Sequence, residues 1–124
     1  MEITVPYANL SRVNNSVKSE IDTNISHCIE NSLFINGPWV DQLEKTLEQR
    51  LNASVVGVGS GTAAQQLSLL ALGIGPGDEV LVPSMTCFST AETVSQVGAT
   101  PVFVDCELEY YCMDLTDFKN KITS

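Results

Sequence analysis

Residues 55–105 read VVGVGSGTAAQQLSLLALGIGPGDEVLVPSMTCFSTAETVSQVGATPVFVD. A short apolar run, Val55 to Val58, ends in the glycine-rich turn Gly59-Ser60-Gly61-Thr62. An apolar helical stretch, Ala63 to Leu72, comes next and is closed by Gly73. The pattern then predicts a strand over Glu79–Val82, a helix over Ser89–Val97 closed by Gly98, and a strand over Pro101–Asp105. Strand, helix, strand, helix, strand is the pattern of parallel βαβ units, so the fold class expected is α/β. In such folds ligands sit at the carboxyl ends of strands and over helix N-termini, which makes Gly59–Thr62 the first candidate anion site.

Before this stretch, Val13, Val17, Ile21, Ile25 and Ile29 recur every fourth residue. That spacing predicts a helix over Ser11–Ile29 with one thin apolar stripe, capped by Ser11 or Asn9. Residues 31–38 break the pattern, and a second helix is expected from Pro38 to Leu51. Pro38 suits its first turn, Val40, Leu43, Leu47 and Leu51 share one face, and Glu44 and Glu48 are expected outward. After Asp105, residues 106–111 read as a loop without a turn glycine, followed by a short helix, Leu115–Ile122, capped by Asp114. The chain stops where another α/β strand would be due, which gives its end the look of a cut.

Fifteen acidic against six basic residues leave a net charge of −9. That balance argues against nucleic acid and anionic membranes as partners. No apolar run approaches the ~20 residues of a membrane span, and MEITVPYANL lacks the basic start of a signal peptide, so a cytoplasmic location is expected. Cys28, Cys87, Cys106 and Cys112 have no CxxC spacing, and His27 is the only histidine. Reduced, mostly buried thiols are expected rather than a metal site.

A glycine turn entering a helix offers free backbone N–H groups at the positive end of the helix dipole, where a phosphate docks without a charged side chain. Ser60 and Thr62 add hydroxyls, and Thr62 is expected to cap the helix. A P-loop would need Lys-Ser/Thr where Ala63-Ala64 stand. A dinucleotide site would need G-x-G-x-x-G and an acid ending the second strand. The chain has glycines at 57, 59 and 61, and Val82-Pro83-Ser84 at that strand end. A cofactor with one phosphate, such as pyridoxal phosphate (PLP), fits the turn. A capped helix with nothing bound is the competing reading.

The motifs occur in combination. SGTAA, ALGIGPGDEVLVPSMT and VGATPVFVD closely resemble the DegT/DnrJ/EryC1/StrS family of PLP-dependent sugar aminotransferases. The opening VPYANL, the segment INGPWVDQLEKTLEQRLN and the late DLTDFKNKIT are similar to that family in the same order. The resemblance implies the N-terminal part of a fold-type I large domain, a mostly parallel sheet with flanking helices. It divides the chain into an N-terminal segment and helix, residues 1–36, and an incomplete PLP-binding domain, residues 37–124.

The resemblance also assigns roles. Gly61, Thr62 and Ala63 match the residues that hold the PLP phosphate. The family's P-x-x-T-aromatic motif, whose ring stacks on the cofactor, reads Pro83-Ser84-Met85-Thr86-Cys87-Phe88 here. Cys87 stands at the aromatic position, so either this smaller, softer side chain does the stacking or Phe88 turns inward to replace the ring; Phe88 facing the core is the competing reading. Tyr7, Phe34 and Asn36 match positions that line the sugar site. Asp105 is expected to shape its own loop.

The Schiff-base lysine of the family, and the carboxylate beside the pyridine nitrogen, have no counterpart in this chain. Lys18, Lys45, Lys119 and Lys121 stand in polar helical contexts without the family motif. The function implied is therefore that of a piece of an enzyme, inactive alone. The enzyme would move an amino group from glutamate or glutamine to a nucleotide-linked keto sugar, as a homodimer with helix Ser11–Ile29 as a candidate contact. A sugar dehydratase of the same family, with histidine for lysine, is an alternative. So is a non-catalytic remnant that binds a partner subunit or a phosphate ligand.

Strands apolar on both faces need neighbours on both edges. The 124 residues alone are therefore expected to be marginally stable or to aggregate. A cooperative melt of a monomer that binds no dye for exposed apolar surface would contradict this.

Overall fold

The computed structural model describes residues 6–123. They divide into two compact units at Gly57/Val58.

The first unit holds α1 (Leu10–Glu30) and α2 (Pro38–Leu51). Asn9 is the cap of α1: its Oδ1 accepts the Arg12 N–H at 3.3 Å, and Ser11 lies inside the helix. The stripe Val13, Val17, Ile21, Ile25 and Ile29 is present and exposed to solvent. At the end of α1 the Asn31 amide donates to the His27 carbonyl at 2.9 Å. The His27 ring meets Trp39 of α2 edge-on, with centroids 6.2 Å apart. Pro38 opens α2, where a missing N–H costs nothing, and Asn52 ends it in the left-handed region.

Two sequence expectations fail here, for one reason. Val55–Val58 forms no strand, because it finds no ladder partner among the described residues. Glu44 and Glu48 do not simply point outward: the Gly57 N–H donates to Glu44 Oε1 at 2.6 Å, and the Val55 N–H to Glu48 Oε1 at 3.3 Å. An extended backbone without a ladder still needs acceptors, and the two carboxylates supply them.

The second unit runs α3 (Gly61–Ala71), β1 (Glu79–Pro83), α4 (Phe88–Gln96), β2 (Thr100–Val104) and α5 (Leu115–Asn120). The two strands pair in parallel, Glu79 opposite Thr100 through Pro83 opposite Val104, and α4 is the crossover between them. Valines dominate the core: Val82, Val94, Val97 and Ala99 are buried together, with Leu69, Ile74, Val80 and Ala91 packed around them. Val104 is fully buried as well.

Both helices before the strands end alike. Gly73 and Gly98 take positive φ of 77° and 85°. Ile74 N–H reaches back to the Leu69 carbonyl at 3.0 Å, and Ala99 N–H to that of Val94 at 3.1 Å. These are Schellman caps, in which the residue after the glycine packs on the helix's last turn. They feed the chain from each helix into the core at a fixed angle.

Ladder parity shows what happens at the sheet edges. Thr100 N–H donates to Asp78 O, and Ser84 N–H donates to Val104 O, so even-numbered residues of β2 face β1. The odd ones face outward. Pro101 has no N–H to offer, Lys121 Nζ donates to Phe103 O at 2.7 Å, and Asp105 N–H donates to Asp117 Oδ2 at 2.7 Å. The outer edge of β2 is thus partly closed by α5 and a proline. β1 has no such cover among the described residues.

The loop after β2 turns without glycine. Tyr111 adopts φ 58°, and Glu107 holds the turn by accepting the N–H groups of Glu109, Tyr110 and Cys112 at 2.6, 2.8 and 3.2 Å. Cys106 and Met113 then meet in an antiparallel bridge, and Asp114 caps α5 as expected, accepting from Thr116 and Asp117. The pKa of Glu107 feels partial desolvation first, which raises it. The three N–H donors together outweigh that and hold it below the usual carboxylate value.

Two outcomes follow. A methyl group at Gly98 would meet the Pro76 ring at 3.0 Å in a backbone region that disfavours side chains. Gly98→Ala should cost about 2 kcal/mol in urea unfolding. The second concerns Asp117, whose pKa is lowered foremost by the Asp105 N–H and then by Lys121. Because the folded pKa lies below the unfolded value of ~3.9, its contribution is complete above that value and is lost as pH falls through the folded pKa. Urea midpoints taken from neutral pH downward should fall less steeply in Asp117→Asn than in the parent.

Candidate functional site

The glycine turn delivers a preformed helix start, with a different cap from the one expected. Ser60, in extended conformation, is the N-cap of α3, and its Oγ accepts the Ala63 N–H at 3.1 Å. Thr62 lies inside the first turn instead, because Gly61 already has helical geometry. The capping oxygen occupies the Ala63 amide, one of the three positions matched to a phosphate. The Gly61 and Thr62 amides and the Thr62 hydroxyl have no hydrogen-bond partner among the described residues. Added Cβ atoms at Gly59 or Gly61 would meet nothing within 4 Å. The space over this helix end is open, and the Gly61 and Thr62 donors are unspent among the described residues.

Three elements converge beside it. Ala64 in the first turn of α3, Pro83 at the carboxyl end of β1 and Thr90 in the first turn of α4 line one cavity of about 400 Å³. Leu69, Leu72, Val80, Val82 and Val94 make the rest of its wall largely apolar. This arrangement places two helix N-termini and a strand end together, where parallel α/β proteins bind ligands.

Cys87 is the N-cap residue of α4. Its Sγ lies 3.0 Å from Ser89 Oγ and 3.6 Å from Thr90 Oγ1. Those hydroxyls, Ser89 foremost, lower its pKa to about 7. A large fraction of this exposed thiol is therefore thiolate at neutral pH. Phe88, the first residue of α4, does not face the core: it is 80% exposed and lies with Ala91, Pro101 and Phe103 along another groove. Residues 90, 93 and 94 of the same helix line the cavity, so the helical turn carries residue 88 away from it.

Tyr7, Phe34 and Asn36 lie in the first unit, all exposed, with Asn36 at φ 48°. Asp105 shapes its loop, accepting the Cys106 N–H at 2.8 Å. Of the lysines, Lys18 pairs with Asp22 and Lys121 with Asp117. The cap role of Ser60 was open to reading: a serine directly before a helix, able to accept the amide three residues on, is a standard signal. The role of Glu107 was not, since nothing local marks a carboxylate that will gather three N–H groups.

A profile of the DegT/DnrJ/EryC1/StrS aminotransferase family matches residues 15–124. Among curated proteins the chain is 37% identical over 111 residues to the UDP-2-acetamido-2-deoxy-3-oxo-D-glucuronate aminotransferase of Pseudomonas aeruginosa, covering 89% of the chain and 31% of that protein. It is 44% identical over 108 residues to the UDP-N-acetyl-3-dehydro-alpha-D-glucosamine 3-aminotransferase of Acidithiobacillus ferrooxidans, covering 86% and 29%. The solved structure of NtdA from Bacillus subtilis, with bound cofactor PMP, superposes with a TM-score of 0.90 at 32% identity, covering 99% of the chain and 29% of that structure. The chain belongs to the DegT/DnrJ/EryC1/StrS aminotransferase family. It spans about three-tenths of the length of the relatives it matches.

The state of Cys87 can be read by alkylation. Iodoacetamide labelling mapped by mass spectrometry should show its rate rising with a midpoint near pH 7. Ser89→Ala should move that midpoint upward.

Proposed function

We propose that residues 1–124 supply the phosphate-holding corner of a PLP-dependent aminotransferase acting on a nucleotide-linked keto sugar. The observation that carries this reading is the open, unspent helix start at Gly61–Thr62 beside the cavity where α3, β1 and α4 converge. A phosphate monoester placed there accepts from the Gly61 and Thr62 amides and the Thr62 hydroxyl, at the positive end of the α3 dipole. Ser60 orients that first turn through its bond to Ala63. PLP, when bound, supplies the electron sink that lets an amino group leave one carbon and join another. The apolar wall of Leu69, Val80 and Val82 lies along the same cavity. Cys87 stands at the position that the family resemblance matches to an aromatic ring, while Phe88 lines another groove.

Transamination also needs a lysine beside the cofactor, and the lysines here are committed otherwise or stand on exposed helical turns. Lys121 holds Phe103 O and Asp117, and Lys18 holds Asp22. The proposed activity therefore belongs to the larger enzyme of which these residues form one part, a cytoplasmic homodimer using glutamate or glutamine as donor. Both curated relatives named above carry 3-oxo or 3-dehydro sugars in their names. UDP-linked 3-oxo hexoses are accordingly the acceptors to test first.

The test is made on the protein that carries these residues together with the rest of its enzyme. It should retain PLP on dialysis and form more than one equivalent of 2-oxoglutarate from glutamate only when the keto sugar is present to take the amino group and regenerate PLP. Thr62→Ala should weaken PLP binding roughly tenfold, the worth of one hydrogen bond to a charged group. The 124 residues alone should form no 2-oxoglutarate. A parent protein that retains no PLP, or a 124-residue chain that transaminates, would overturn the proposal.

A further inference from the structure

We draw no further inference here: the strongest candidate beyond the phosphate-holding turn, the apolar wall of Leu69, Leu72, Val80 and Val82 beside the uncovered edge of β1, carries nothing because nothing in the structure shows what covers it.

Discussion

The parallel pairing of β1 with β2 is the constraint from which the second unit follows. Two parallel strands cannot be joined by a tight turn, so the chain must leave the carboxyl end of β1 and return to the start of β2. Here α4 makes that journey, and Val94 and Val97 are the residues it lays against Val82. The return is possible only because Gly98 reverses the chain at once, with Ala99 tucked under Val94. The same crossover sets the N-terminus of α4 beside the end of β1, and α3 packs against α4. The site is a by-product of that geometry: helix starts and a strand end meet wherever parallel strands are connected in this way.

A second theme is the use made of acidic residues. The sequence carries a net charge of −9, and solubility is the ordinary explanation of such an excess. In the structure many of the carboxylates accept backbone N–H groups. Glu44 and Glu48 hold an extended segment, Asp78 holds the turn before β1, Glu107 holds a turn with no glycine, and Asp114 and Asp117 start a helix and close a strand edge. A carboxylate is an acceptor only, so it satisfies orphan donors without presenting a competing N–H. The charge is in part structural, placed where regular hydrogen bonding stops.

The exposed apolar surface has the same origin. Much of the larger hydrophobic content remains open to solvent, including the stripe on α1, Val56, Leu72 and Phe88. The buried core is small and built mainly of valines. Burial scales with the area that neighbouring elements can cover, and a two-stranded sheet with one crossover covers little. The relatives named above are about three times as long.

Much was legible in the sequence because it was local. Helix periodicity, the glycines after α3 and α4, the apolar strands Glu79–Pro83 and Thr100–Val104 and the turn at Gly59–Thr62 are each written in a few adjacent residues. The spacing of linked motifs was specific enough to carry the family as well. What the tertiary structure decided was pairing. Val55–Val58 has the composition of a strand, yet a strand exists only with a partner, and none is available to it among the described residues. Ser60 rather than Thr62 became the cap because the helix begins at Gly61, two residues before its first apolar residue, Ala63. Phe88 points away from the cavity because a helix start was set at Cys87, and 100° per residue did the rest. Local sequence chooses the elements, while partners distant in the chain decide which backbone groups are satisfied and which side chains meet.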